Sequence, residues 1–442
     1  MLQGRKVIVV GLGKSGVSAA KLCLAFGAQV VGTDAAPREN LSQAARELGI
    51  ELFTSGHEAV DFESFDLIVV SPGVPMLPAL ERAQRAGVEI VGELELAARY
   101  LTAPLLLVGG TNGKSTTTTL LGDLIRTSGK RVFVGGNLGT PACEAVSGAY
   151  DYVVFEVSSF QLEHAPQIKP RVNILLNVTE DHLDRYPSFQ AYADAKGNSF
   201  VNQSAEDVAI IPSGDAQCEQ QARRGGGRIV YFGGADYVVS ASSILERATG
   251  ERFDLSDSRL FGTHNHLNAA AAVAAARAVS CASSAVRQAL QAFEPLAHRM
   301  ARVARHHDVN YYDDSKGTNV GASVTALLGL SEERAVLIAG GRDKHGSYEP
   351  LVEALLRKGR AVVLIGEASA RIAEAIAGRV PTVQAESMIE AVRKARELAR
   401  PGDAVLLSPA CSSFDMFKSY ADRGDQFARA VQTMITQNGG AP

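Results

Sequence analysis

The sequence predicts an α/β protein of three domains, on three observations. Short apolar runs alternate with helical patterns along most of the chain, the order that builds parallel sheets. Two of the runs, KVIVV at 6–10 and LLLV at 105–108, deliver glycine turns onto helix starts. The length of 442 residues corresponds to about three domains of roughly 150 residues each.

Apolar residues make up 46% of the chain and charged residues 21%, an ordinary globular composition with ample material for cores. The net charge of −4 makes no case for nucleic acid or a membrane surface, so an anionic ligand has to be held by local Lys, Arg and backbone dipoles. Cys23, Cys143, Cys218, Cys281 and Cys411 are odd in number and scattered without metal-ligand spacing, which fits a reduced, cytoplasmic protein. The first apolar run is broken by glycine too soon for a signal peptide. No window approaches about 18 uninterrupted apolar residues, so no membrane span is expected. A monomer is expected.

Residues 5–34 read strand, glycine turn (Gly11, Gly13, Gly16), helix, strand, then Asp34. Glycines tighten such a turn and let its backbone, here including Leu12, Lys14 and Ser15, approach a diphosphate, while the acidic residue meets a sugar or base. From this piece alone NAD is the favoured ligand. DLIVVS (66–71) and Glu89–Val91 add further strands, closing a Rossmann-like unit near Gly92. Nothing in it is arranged for hydride chemistry, and a different diphosphate fits the same turn.

The second unit opens with LLLVGGTNGKST (105–116). A strand delivering Gly110-Thr111-Asn112-Gly113 onto a helix that starts at Lys114, Ser115 and Thr116 aims backbone N–H groups at one point, which suits phosphate. Lys114 adds a point charge for the outer phosphates, and the Ser115 hydroxyl suits Mg²⁺. The spacing is a shorter variant of the usual phosphate loop. Strands are expected at Arg131–Val134, Asp151–Val157 and Arg171–Val178. Glu156, near the end of the second of these, reads equally as a Mg²⁺ ligand facing the loop or as half of a structural ion pair, because a lone buried carboxylate is costly. Thr179 to Asp184 collects three carboxylates and His182 at a strand end, either a site or a solvated turn. Lys196 by itself reads as an exposed lysine. Residues 202–260, including RIVYF and DYVVSAS, predict a small antiparallel portion. Gly262 to Asn268 leads into an Ala-rich helix, with Asn265 and Asn268 as caps or base contacts.

A third unit starts near His298-Arg299. Its strands are expected at Val309–Tyr312, Ala335–Ala339, Ala361–Ile365, Thr382–Gln384 and Ala404–Leu407, again in a mostly parallel, Rossmann-like sheet. Residues 313–319 (DDSKGTN), 340–344 (GGRDK) and 408–415 (SPACSSFD) fall on one edge of that sheet. An edge rich in Lys, Arg, Ser and Thr suits a carboxylate-bearing substrate and a nucleotide sugar.

GTNGKST (110–116), Glu156 with Ser158, Ser159, Phe160 and Gln161, NVTEDHLDRY (177–186), Gly262-x-His264-Asn265-x-x-Asn268, His298-Arg299 and DDSKGTN, in this order, resemble the Mur ligases. These are ATP-dependent amide-forming enzymes of bacterial peptidoglycan precursor synthesis. GLGKSG (11–16), SPGVP (71–75) and LSPACSSFDMFKSYADRG (407–424) look most like the members that add D-glutamate to UDP-N-acetylmuramoyl-L-alanine. The resemblance implies that residues 1–92 bind the UDP portion, 93–296 (P-loop ATPase-like) bind ATP and 297–442 bind the amino acid. It implies UDP rather than NAD at Gly11, Leu12, Gly13, Lys14, Ser15, Asp34, Ser71 and Gly73, with Asn137, Ser158 and Gln161 on the muramoyl portion. ATP would meet Gly110 to Thr116, Asn268, Arg299 and Asp314. One Mg²⁺ would sit on Ser115 and Glu156. A second would sit on His182 and Lys196, the lysine as its CO₂ adduct. Lys114, His182 and Lys196 would be catalytic, and Thr318, Lys344, Ser413 and Phe414 would surround D-glutamate. The alternatives are a related ligase using another amino acid, a folylpolyglutamate-type enzyme or, from a different class, an NAD-dependent oxidoreductase.

Overall fold

The computed structural model describes residues 2–182, 185–343 and 346–437. Three sheets follow one another along the chain. The first holds β1 (Lys6–Val10), β2 (Gln29–Thr33), β3 (Glu51–Phe53), β4 (Leu67–Val70) and β5 (Glu89–Gly92), all parallel in the order β3-β2-β1-β4-β5. Val7 to Val10 are completely buried, which is why β1 reads as a continuous apolar run rather than an alternating one. The chain reverses its direction of travel between β1 and β4, and the crevice beyond such a reversal is where open α/β sheets bind ligands. Gly11 and Ser71 follow those two strands.

The central sheet contains β6 (Leu105–Gly109), β7 (Val132–Gly136), β8 (Tyr152–Glu156), β9 (Val172–Leu175), β10 (Val208–Pro212), β11 (Arg228–Phe232), β12 (Tyr237–Val239), β13 (Ser243–Glu246) and β14 (Arg252–Asp254), in the order β14-β13-β12-β11-β10-β9-β6-β8-β7. β6 lies between β8 and β9, parallel to both, so the loop after it opens at the sheet's own reversal point. Antiparallel pairing is confined to β12, β13 and β14. RIVYF is therefore not part of the antiparallel portion: as β11 it runs parallel to β10. The Ala-rich helix Thr263–Ala278 is buried from Asn268 through Ala276. Its small side chains let it share one core with Leu120, Leu121, Leu124 and Ile125 of the helix Lys114–Thr127.

In the C-terminal sheet β15 (Ala301–His306), β16 (Val309–Asp313), β17 (Ala335–Gly340), β18 (Gly359–Ile365), β19 (Thr382–Gln384) and β20 (Ala404–Leu407) run in the order β15-β16-β20-β17-β18-β19. Only the β15–β16 pair is antiparallel. Apolar clusters cover both faces. The first two units are joined by another core, in which Leu94, Leu96 and Ala97 of the helix Glu93–Tyr100 pack with Val7 and Leu67 on one side and Leu105, Phe133 and Phe155 on the other. Among the described residues no helix is long and apolar enough to cross a membrane.

Candidate active site

The phosphate loop takes the shape its glycines permit. Gly113 holds φ 86° as the residue before the helix, and a Cβ there would lie 2.3 Å from Asn268 Oδ1. The loop is anchored from the neighbouring strand end: Asn112 N–H donates to Asn177 Oδ1 at 2.9 Å, and Asn177 Nδ2 returns a bond to Asn112 O at 3.1 Å. Lys114 Nζ donates to the loop's own carbonyls, Gly110 O at 2.9 Å and Thr111 O at 2.7 Å. Burial and Arg299 lower its pKa, against the pull of Glu156 and Asp181.

Glu156 ends β8 beside the loop and is buried. Ser115 Oγ donates to Glu156 Oε2, Asn137 Nδ2 donates to Oε1 at 2.7 Å, and Arg299 Nη2 donates to Ser115 Oγ at 2.6 Å. The structure thus brings Ser115, Glu156, Asn137 and Arg299 together, the last from beyond the central sheet. Mg²⁺ takes oxygen ligands and commonly completes its shell with water and substrate phosphate. Two adjacent protein oxygens at a phosphate loop fit that chemistry. Among the described residues no group of three or more His, Cys, Asp and Glu side chains could hold a metal by itself.

Lys196 is buried on the helix Phe189–Gly197, not exposed. Its Nζ donates to Gly110 O at 2.9 Å and lies 4.6 Å from the centre of the Tyr192 ring. Burial, reinforced by Lys114, holds its pKa well below the usual lysine value. His182 has φ 55° and its ring packs edge-on to Phe160, 4.8 Å between centres, and 6.1 Å from Tyr192. His182 Nε2 is 3.8 Å from Asp181 Oδ2. Thr111 Oγ1 and the Tyr192 hydroxyl, 3.1 Å apart, tie this group to the phosphate loop. An amine offers Mg²⁺ no oxygen, so Lys196 suits that ion only after conversion to a carbamate.

A cavity of about 330 Å³ opens between the central and C-terminal sheets, lined on one side by Asn112, Gly113 and Asn268 and on the other by Arg299, Asp314 and Lys316. Asp314 is held by Ser408 Oγ at 2.7 Å, and burial raises its carboxyl to about 7. Among the described residues Lys316 makes no ion pair within contact distance, and Glu156 only partly offsets the loss of hydration. The Lys316 Nζ sits 3.7 Å from the centre of the Tyr420 ring, and burial together with Arg299 lowers it to about 8. Thr318 lies on the same loop, its N–H bonded to Lys316 O. Ser413 is buried while Phe414 is exposed. Lys344 lies outside the described residues. Arg423, fully buried, joins the two loops: Nε donates to Ser315 Oγ at 2.9 Å, Nη2 to Ser315 O at 2.9 Å and Nη1 to Cys411 O at 3.2 Å. Sequence reasoning missed Arg423 and Lys316 as site residues. Both stand inside motifs singled out for other members, and that position was the available signal.

The N-terminal turn is braced by the residues expected to bind there. Asp34 accepts from Leu12 N at 2.6 Å and Ala36 N at 2.8 Å, and Ser71 Oγ donates to Gly11 O at 2.7 Å. Gly13 has open space where a Cβ would be, Gly73 is exposed, and Lys14 and Ser15 open the helix Lys14–Ala25. Ser158 and Gln161 form a reciprocal cap at the start of the helix Ser159–Glu163.

The fold and this site define a class: a three-sheet α/β protein whose phosphate loop faces a C-terminal domain across a nucleotide-sized cavity. Residues 5–92 match the Mur ligase MurD-like N-terminal domain, 108–276 the Mur ligase middle domain and 298–411 the Mur ligase glutamate ligase domain. The UDP-N-acetylmuramoylalanine–D-glutamate ligase of Desulfosudis oleivorans is 45% identical, over 98% of this chain and 97% of that one. The ligase of the same name from Syntrophotalea carbinolica is 43% identical, over 98% of both chains. The chain belongs to the Mur ligase family. In fold it is similar to the MurF ligase of Thermotoga maritima, solved in complex with ADP, at 17% identity and a TM-score of 0.62 over 99% of both chains.

Proposed function

We propose that this protein is the ATP-dependent ligase that adds D-glutamate to UDP-N-acetylmuramoyl-L-alanine through an acyl phosphate, in bacterial peptidoglycan precursor synthesis. The full-length identity to ligases of that name supports the reaction. The observation that carries the chemistry is the contact of Arg299 with Ser115 beside Lys114 and Glu156, which puts cations from two domains on one phosphate loop. A monomer in the cytoplasm is part of the proposal; five free, buried cysteines support the reducing compartment.

A carboxylate is a poor acceptor for an amine, so the alanine carboxylate of the UDP substrate first takes the γ-phosphoryl group of ATP. On this reading Lys114 leaves the Gly110 and Thr111 carbonyls to meet the phosphates, and Arg299 offsets charge as it shifts between oxygens. Ser115 and Glu156 would hold one Mg²⁺, with His182 and carbamylated Lys196 holding a second; the ions supply charge neutralisation. A neutral Lys196 amine is the form that attacks CO₂, losing a proton as the N–C bond forms. D-Glutamate, held by Thr318, Lys344, Ser413 and Phe414, attacks the acyl carbon as a free amine. The tetrahedral adduct then expels phosphate. Asn268, Arg299 and Asp314 would meet adenine, phosphate and ribose. The Gly11–Gly16 turn, Asp34, Ser71 and Gly73 would meet UDP, and Asn137, Ser158 and Gln161 the muramoyl portion.

The test is phosphate release from ATP with UDP-N-acetylmuramoyl-L-alanine across a panel of D- and L-amino acids, with product masses. Release that requires D-glutamate and yields its adduct supports the reading. Release with another amino acid refutes the D-glutamate assignment, and no release refutes the ligase.

A further inference from the structure

The Asn319 amide spans three segments. Its Oδ1 accepts from Ala322 N at 2.7 Å, capping the helix Val320–Gly329. Its Nδ2 donates outward across the seam to Asp181 Oδ2 at 3.1 Å and Asn112 Oδ1 at 3.4 Å. The cap fixes the side chain, so the NH₂ group is aimed by the helix rather than by chance rotation. Both acceptors stand on held segments. The Asn112 main chain is locked to the Asn177 side chain by two bonds, and Asp181 Oδ1 accepts from His182 N at 3.0 Å. Asp181 is largely buried, with a side chain 15% exposed, so a charged acceptor meets the amide in a partly desolvated seam.

We propose that Asn319 is a positioning residue, a latch that docks the C-terminal domain on the phosphate loop and the Asp181-His182 segment. By holding the strand-end loops of the C-terminal sheet against Asn112, it sets where the amine arrives relative to the phosphorylated carboxylate. Asn alone among the capping residues serves both ends. Asp and Ser cap a helix about as well, but Asp has no donor and Ser is too short to reach the seam.

That difference provides the test, which rests on the ligase reading for its kinetic arm only. Asn319→Asp keeps the cap and points a carboxylate at the Asp181 carboxylate; Asn319→Ser keeps the cap and removes the reach. Both are expected to keep the wild-type melting temperature. The KM for D-glutamate is expected to rise roughly 10- to 100-fold, as losing a hydrogen bond to a charged group implies, while the KM for the UDP substrate stays within about twofold. Small-angle scattering of the ligand-free protein is expected to show a larger radius of gyration for Asn319→Asp. Adding Asp181→Asn exchanges donor and acceptor, and is expected to return the radius towards wild type. Unchanged scattering of Asn319→Asp overturns the latch, as does an equal rise in both KM values. If wild-type protein releases no phosphate, the ligase reading falls and scattering with its rescue still decides the latch.

Discussion

Glu93 sits at the start of the helix that packs against both of the first two units, at a cost that depends on pH. It opens the helix Glu93–Tyr100 and is buried in the seam. Its Oε1 accepts from Cys143 N at 2.6 Å, and among the described residues Oε2 has no hydrogen-bond partner. Burial raises its carboxyl from the ordinary 4.5 to about 7, opposed by bonds from Cys143 and Ala142 and reinforced by Glu144. The folded protein therefore keeps the proton after the unfolded chain has lost it. Below pH 4.5 both states are protonated and the seam is at full strength. Between 4.5 and 7 stability falls as pH rises, and above 7 it levels off. At about 1.4 kcal/mol per pH unit the loss is about 3 kcal/mol. Glu93→Gln keeps the acceptor for Cys143 and has no proton to lose; its unpaired NH₂ costs a pH-independent 1–3 kcal/mol or so. The chain has no tryptophan, so urea unfolding is followed by far-ultraviolet circular dichroism at pH 4.5, 6 and 8. The stability of wild type relative to the variant should fall by about 3 kcal/mol across that series. A difference that stays flat would refute the reasoning, because a carboxylate ionised in both states titrates nothing between them. Burial holds the neighbouring Cys143 thiol well above its usual pKa, so it adds no slope here.

Lys114→Ala should keep the fold by circular dichroism and lose at least about two orders of magnitude in turnover, since removing one preorganised charge-stabilising donor typically costs about 2.7–4 kcal/mol; near-normal activity removes it from the mechanism. Gly113→Ala drives a Cβ to 2.3 Å from Asn268 at φ 86°, so calorimetric titration should show ADP affinity falling while the UDP substrate binds normally. Arg423→Met removes the donors shared by the Ser315 and Cys411 loops, and should raise the KM for D-glutamate more than that for ATP. Lys196→Arg keeps a long basic side chain but cannot form the carbamate, so turnover should collapse and added bicarbonate should not restore it.

Much of the sheet architecture was legible because buried parallel strands are apolar on both faces and end in glycine turns, as KVIVV and LLLV do. Of the strands not named from sequence, β10 (VAIIP) has that signature, buried and parallel to both neighbours, but lies inside the polar stretch 202–260 that reads as antiparallel; β3 and β15 lack it. β3 is three residues long and begins at exposed Glu51, and β15, ARVARH, is an antiparallel edge strand with exposed Arg302 and Arg305. RIVYF alternates, with Arg228 exposed and Val230 and Phe232 buried, so its pattern imitates a hairpin although its partner β10 is parallel. The loop cluster was legible for a different reason: a phosphate loop is local, and its residues are adjacent in sequence.

Contacts between segments distant in sequence are not written in local pattern. Lys196 resembles any helical lysine until the helix is seen to turn it towards Gly110, where burial lowers its pKa. Arg299 reaches Ser115 across 184 positions, and Asn319 reaches Asp181 across 138. The arrangement has one physical logic. Lys114, Arg299 and Lys316 share the region of the phosphate loop, and each has its pKa lowered chiefly by burial; Arg299 pushes Lys114 and Lys316 down further, and Lys114 also lowers Lys316. Mutual repulsion among buried cations is unfavourable in the empty protein and is relieved by a polyanion. On the proposed reading, the charge that weakens this seam is the charge that would bind nucleotide, and a neutral donor such as the Asn319 amide would dock the domains without competing for the phosphates.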